Sequence, residues 1–341
     1  MTVEPNRCAR AKEQPPLEIY PEIQNEYYSK ENFEVTDQAW DLLHGAYDLH
    51  VHATPTVGPM GDDGLTGGFI LDVVELVREY DEAGLAGVCI KNHEFGSFFE
   101  AQLLNKYVAK NIKVYGGMTL GLTWGGLNPY AVEGAAKANA KIVWFPTFFS
   151  RHEKDIWITE CPYQLSDPEM TEGAMEYKGN GIYLFDEEGN LKPEVYDILE
   201  IIRDNDMCVA SAHLSPREAL ALFEAGHDMG LKKMIATHIE WRTIMAPLAL
   251  QQRFAELGVK MEKSFYEFNL ARAMRSFEVL GPENFIFSSD QGMFPNLRAK
   301  RGFACMVQEY LNAGITPEQA RIMLHDNQQF LTVSYTHLTL P

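Results

Sequence analysis

One unit recurs along most of this chain: a short apolar strand, a loop carrying polar or glycine residues, then an amphipathic helix. The strand segments are 46–51 (AYDLHV), 86–91 (AGVCIK), 112–119 (IKVYGGMT), 141–146 (KIVWFP), 207–212 (MCVASA), 233–237 (KMIAT), 259–265 (VKMEKSF) and 284–289 (NFIFSS). Most are apolar on both faces, as strands covered by helices on both sides must be. The intervening ILDVVELVREYDEAG places apolar residues at 70, 73, 74 and 77 with Gly84 as a stop, and PREALALFEAGHDMG opens a helix at Pro216. Eight strands alternating with helices predict an α/β chain folded as a (β/α)8 TIM barrel rather than an open sheet. The 341 residues suffice for one such barrel with additions. No G-x-G-x-x-G follows the first strand, which removes a dinucleotide-binding Rossmann reading.

The additions lie at three places. Residues 1–40 form an N-terminal extension whose first part is rich in Pro, Glu, Asn and Tyr without period, expected to pack on the body or on a neighbouring subunit. The barrel itself is assigned to 41–331. A lid-like insertion, 150–195, separates strands four and five, and its GIYLFDEEGNLKP reads as a β-hairpin around an E-E-G-N turn. Residues 332–341, ending in YTHLTLP, resemble translated adaptor sequence at the ends of metagenome-assembled bacterial reading frames, so a non-native tail is expected.

Composition narrows the partners. A net charge of -19 and a pI near 4.9 disfavour nucleic acid and anionic membranes, whose attraction needs a basic face. No apolar run has the length of a membrane span and no signal-peptide segment is evident, so a cytoplasmic location is expected. The five cysteines, Cys8, Cys89, Cys161, Cys208 and Cys305, are scattered with no C-x-x-C, which indicates neither a disulfide framework nor a zinc knuckle. A small-molecule substrate is the expected partner, and a homo-oligomer stays open.

In YDLHVHATP, strand alternation turns His50 and His52 to one face, where two imidazoles can grip one ion. Chemistry on a barrel collects at the strand C-terminal ends. There the chain places Lys91 and His93 after strand two, His213 after strand five, His238 after strand six and Asp290 after strand eight. Singly, His213 or His238 caps a helix and Asp290 serves as an N-cap. Their joint occurrence at strand ends points instead to a metal site. Imidazoles with one carboxylate and no thiolate suit Zn²⁺ first, and also Fe²⁺, Mn²⁺ or Ni²⁺.

This ligand order, H-x-H on the first strand, His on the fifth and sixth, Asp on the eighth, resembles the amidohydrolase superfamily over most of residues 41–331. LLHGAYDLHVHATP, KNH and VWFPT are similar to its uncharacterised DUF6282 branch. The resemblance implies a metal-dependent hydrolase in which His50, His52, His213, His238 and Asp290 hold the ion. In that reading Asp290 moves the proton of the attacking water and His238 hydrogen-bonds the carbonyl of a small amide, ester or lactone. Binuclear relatives carry a bridging Lys or Glu after strand four, whereas here the strand runs on as VWFPTFFSRHE, so one ion is expected rather than two. Lys91, His93, His152 and Glu153 are the candidates for extending the set. Arg242, Glu240, Arg151, His152 and Trp124 are the candidate substrate contacts, the arginines for a carboxylate.

Three other readings stay open. A mononuclear decarboxylase or hydratase acting on a small carboxylic acid shares fold and metal. A phosphoesterase of the polymerase-and-histidinol-phosphatase type also opens D-L-H-x-H, but needs further histidine clusters that this chain lacks. A catalytically silent scaffold retains the ligands without the reaction.

Overall fold

The computed structural model describes residues 33–55, 70–93, 95–153, 181–241, 244–265, 270–292 and 297–333. Eight strands lie side by side in sequence order: β1 Tyr47–Val51, β2 Gly87–Ile90, β3 Lys113–Thr119, β4 Ala140–Trp144, β5 Cys208–Ala210, β6 Met234–Ala236, β7 Lys260–Lys263 and β8 Phe285–Phe287. Every neighbouring pair is parallel. Behind a leading helix, α1 (Asp37–Leu43), one helix follows each strand. These are α2 Val73–Glu82, α3 Phe98–Tyr107, α4 Pro129–Lys137, α5 Pro193–Asp204, α6 Pro216–Asp228, α7 Leu248–Glu256, α8 Leu270–Leu280 and α9 Ala299–Asn312. The expected (β/α)8 architecture is therefore present as a nearly closed barrel.

Local signals explain the helices. Asp72 caps α2 in a box with Glu75, Val73, Leu76, Val77 and Tyr80 are buried, and Gly84 at φ 77° ends the turn that follows. Ser215 and Glu218 form the same box at α6, which begins at Pro216 as read from the sequence. The observed strands are shorter than their apolar runs: β5, β6 and β8 span three residues each. The runs continue past the last ladder bond into the loops that carry the histidines and the aspartate.

Two apolar layers sandwich the sheet. Leu49, Cys89, Ile142, Trp144, Ala210, Ile235 and Ile286 fill the barrel interior together with Leu331 from below. Val88, Val143, Val209, Met261, Phe285 and Phe287 join the helices in the outer layer. No sheet ladder joins β8 to β1, and other bonds span that gap. Asp290 N donates to His50 O (2.7 Å) and His52 N to Gln291 O (2.8 Å). Lower down, the buried Gln328 amide donates to Tyr47 O and Phe287 O, both at 2.7 Å. Gly292 permits the upper contact, since a Cβ there would sit 2.0 Å from His52 O.

Of the segment 150–195, expected from the sequence as a lid-like insertion, residues 154–180 lie outside the described residues. Past them, Phe185 and Leu191 form an isolated antiparallel bridge, and Asp186 N donates to Asn190 O at 2.9 Å. The expected extension up to residue 32 and the tail from 334 are likewise outside the described residues.

Candidate metal centre

Simple alternation does not by itself aim the site residues, and three backbone devices do the rest. On β1 the pairing slips by one residue between Asp48 and Val51, a bulge. Asp48 consequently faces α2, accepting from Tyr80 Oη at 2.6 Å, while His50 two positions on faces the interior and meets Glu262 of β7. After β5, Cys208, Ala210 and Ala212 line the interior, so His213 would point outward if the strand simply continued. Ala212, in the left-handed region at φ 50°, breaks that alternation. His238 (φ 57°) and Asp290 (φ 49°) adopt the same strained conformation directly after β6 and β8.

The result is a buried cluster at the strand C-terminal ends. His50, His238 and Asp290 each present one donor atom within 4.8 Å of the others. His50 Nε2 lies 3.0 Å and His52 Nε2 3.1 Å from Asp290 Oδ1, and His238 Nε2 lies 3.8 Å from Oδ2. Lys91 Nζ sits 2.9 Å from His50 Nε2. The His93 ring stacks on His52 at 4.4 Å, and the His213 ring stands 5.1 Å from that of His238. Phe148 and Trp241 border the histidines.

Two hydrogen bonds fix ring orientation. Glu262 places both carboxylate oxygens 3.1 Å from His50 Nδ1, and Lys91 O lies 2.9 Å from His52 Nδ1. Both leave Nε2 turned toward Asp290, the arrangement by which metal-binding imidazoles are usually held.

Electrostatics separate one charged histidine from four neutral ones. Burial disfavours the His50 cation, but the Asp290 and Glu262 carboxylates outweigh it and raise its pKa to about 9. Burial lowers His52 to about 4 and His238 to about 3, and holds His93 and His213 well below the usual histidine value. Asp290 stays ionised: burial works against its charge, yet His50 and His238 hold its pKa well below the carboxylate range. Burial draws Lys91 down to about 8. His52, His93, His213 and His238 as neutral imidazoles and Asp290 as an ionised carboxylate are in the states that metal ligation requires, whereas His50 would give up its proton on binding an ion. The donor set fits a cation by another test. Among the described residues, neither ring nitrogen of His93, nor Nδ1 of His213, has a hydrogen-bond partner, although both side chains are buried.

The other candidates stand further off. Glu240 is turned onto Lys263, Oε1 to Nζ 2.5 Å, with Arg272 Nε at 3.8 Å. Arg151 lies over the Tyr183 ring at 5.1 Å, and His152 beside it is partly exposed. Trp124 packs near Phe95 and Phe98. Arg242 lies outside the described residues. Glu153, by contrast, is buried with Oε1 3.7 Å from His213 Nδ1. The loop after β4 thus brings a carboxylate to the cluster even though none stands at the strand's end. Glu262 was not singled out from the sequence; its one signal was an acid between Met261 and Lys263 in a buried strand.

A family model, "Family of unknown function (DUF6282)", matches residues 45–262. The chain belongs to that family. No curated protein matches this DUF6282 sequence. Among solved structures, an amidohydrolase from Pseudomonas aeruginosa superposes with a TM-score of 0.52 at 9% identity, covering 86% of this chain and 97% of that one. The probable dipeptidase PvdM of the same organism gives 0.53 at 9% identity, covering 92% and 98%. A structure from work engineering organophosphate hydrolysis on a weak promiscuous lactonase template gives 0.53 at 12%, covering 86% and 97%. At these identities the shared property is the fold, here the barrel common to amidohydrolases.

Proposed function

We propose that this DUF6282 chain is a metal-dependent hydrolase of the amidohydrolase superfamily, acting on a small amide, ester or lactone. The observation that carries the reading is the convergence of His50, His238 and Asp290, buried together at the strand ends. His52 and His213 would complete the donor set, and Glu153, with Oε1 3.7 Å from His213 Nδ1, would add a carboxylate for a second ion. These residues would hold a divalent cation, Zn²⁺ by donor type, and when bound it would supply Lewis-acid polarisation of a carbonyl and a more acidic water.

The chain's own groups supply the remaining steps. Asp290, held ionised, accepts the proton of the attacking water and returns it to the leaving group. His238 Nε2 faces the same carboxylate, where it would either hold the ion or, left unligated, hydrogen-bond the substrate oxygen, since one nitrogen cannot do both. Phe148 and Trp241 exclude water from the imidazoles. A second reading, decarboxylation or hydration of a small carboxylic acid, draws on Lys91, a buried cation set among the ligands and suited to a substrate carboxylate.

The test is elemental analysis of protein purified without chelators, paired with an ester, lactone and amide panel. One equivalent of metal is expected, lost in His50→Ala/His52→Ala along with turnover. Protein that holds no metal and takes none up on reconstitution overturns the proposal.

A further inference from the structure

A carboxyl group stands in the apolar outer layer of the barrel. Asp48 pairs with Val88 across β1 and β2 and, like it, faces the helices, in the layer that Leu76 and Val77 of α2 also fill. It is fully buried, as are Tyr80 and Ser289. A buried acid costs free energy unless its oxygens find donors, so a residue kept there calls for a reason that packing does not supply.

The donors lie on the two strands that no ladder joins. Asp48 Oδ1 accepts from Ser289 N at 2.9 Å, across the β1–β8 seam, and from His50 N at 3.3 Å on its own strand. Oδ2 accepts from the Tyr80 hydroxyl at 2.6 Å. The Ser289 hydroxyl, 3.4 Å from Tyr80 Oη, accepts from Gln291 N at 3.2 Å, and Gln291 O accepts from His52 N at 2.8 Å. The main chain on either side of Asp290 and at both β1 histidines is thus tied to one carboxyl group, and through Tyr80 to α2. Elsewhere in the barrel a ladder sets the spacing of neighbouring strands. Here the candidate ligands sit astride the seam, with His50 Nε2 and Asp290 Oδ1 3.0 Å apart. An ion tolerates donor distances wrong by only about 0.2 Å, so a small slide of one strand end against the other would spoil the cage.

We infer, on the metal-dependent reading proposed above, that Asp48 oriented by Tyr80 is a positioning residue of the metal centre, fixing the spacing of His50 and Asp290 from behind while touching neither ion nor substrate. Co²⁺ is the probe, because its visible bands report coordination geometry and competition with a chelator gives its affinity for the full chain. Asp48→Ala should weaken Co²⁺ binding roughly tenfold and shift the bands, and Tyr80→Phe, which keeps the carboxyl but loses its anchor, should weaken binding roughly threefold. Asp48→Asn should stay within about twofold of wild type, since Oδ1 still accepts from Ser289 N while the amide donates to Tyr80 Oη and that hydroxyl turns to Ser289 Oγ. Leu76→Ala, a loss of packing in the same layer, should lower the melting temperature and leave bands and affinity unchanged.

Wild-type bands and affinity in both Asp48→Ala and Tyr80→Phe overturn the inference and leave the metal reading standing. So does a Leu76→Ala protein whose bands shift as those of Asp48→Ala do, or an Asp48→Asn protein as weak as Asp48→Ala. Wild type that takes up no Co²⁺ overturns the metal reading and the positioning role with it. Where Asp48→Ala does not fold, Tyr80→Phe decides.

Discussion

The two ends of the barrel use polar residues in opposite ways. At the floor, each buried amide is committed to closing the structure: Gln328 joins Tyr47 O to Phe287 O, and Asn327 Nδ2 donates to Phe285 O at 2.7 Å and Pro282 O at 3.1 Å. At the rim, His238 and Asp290 hold left-handed backbone conformations, four imidazoles are kept neutral by burial, and the ring nitrogens of His93 make no hydrogen bond. The floor directs its amide donors to backbone carbonyls; the rim leaves ring nitrogens poised. Strain and unmet hydrogen-bonding capacity gather where a ligand would relieve them, and the floor supplies the stability that tolerates both.

Mutations at the two ends should therefore fail in different measurements. Asp290→Asn should lower kcat/KM on the wild-type substrate by roughly 10³-fold while leaving the melting temperature within a few degrees. Comparable loss of both would show that the rim also carries the fold. Gln328→Met keeps the volume but strips two buried carbonyls of their donor, and should cost about 2–4 kcal/mol in denaturant unfolding with metal content unchanged. Glu262→Gln should reduce metal affinity roughly 10- to 100-fold, measured by competition with a chelator, because it loosens the His50 ring. An unchanged affinity would assign Glu262 to packing alone.

The smallest effect concerns pH. His325, on the floor side, meets Leu42 O at 2.9 Å, and burial lowers its pKa below 6.5 despite that bond, with Arg321 and His44 adding to the shift and Asp326 opposing it. A histidine with a depressed folded pKa favours folding above the unfolded value and loses that contribution as pH falls through 6.5 toward the folded one. Substituting His325→Gln should flatten the acid side of the stability curve in that window, and an identical slope would remove His325 as a cause.

Much of this contrast could be read from the sequence, and its limits are physical. The barrel was legible because eight apolar runs and their helices repeat a local pattern, and capping residues such as Ser215 mark the helix starts. His50, His52, His213, His238 and Asp290 were legible because strand ends are where barrels place chemistry. Their aim was not: the β1 bulge and the left-handed Ala212, His238 and Asp290 arise from packing, and the mild left-handed preference of Asp and His does not single out these two positions, still less Ala212. Glu153 was weighed as a ligand, but its approach to His213 depends on the path of a long loop. Glu240 stood two residues from His238 and read as a substrate contact, yet its distance from Lys263 is a matter of how β6 and β7 lie together.

The bonds across the β1–β8 gap carry a kinetic meaning. His52 and Asp290 are 238 positions apart, and the backbone–backbone bonds that span the gap at the rim join candidate ligand residues and Gln291, the neighbour of one of them. Translation takes on the order of tens of seconds to cover such a distance. Throughout that interval the first strand's histidines lack the later residues that would enclose an ion, and the loop-closure entropy of these long-range contacts is still to be overcome. Under the proposed metal-dependent reading, capture of an ion and completion of the fold would be a single late event. A truncated or stalled chain is left without the cage, and an ion that binds reports that the whole barrel has formed.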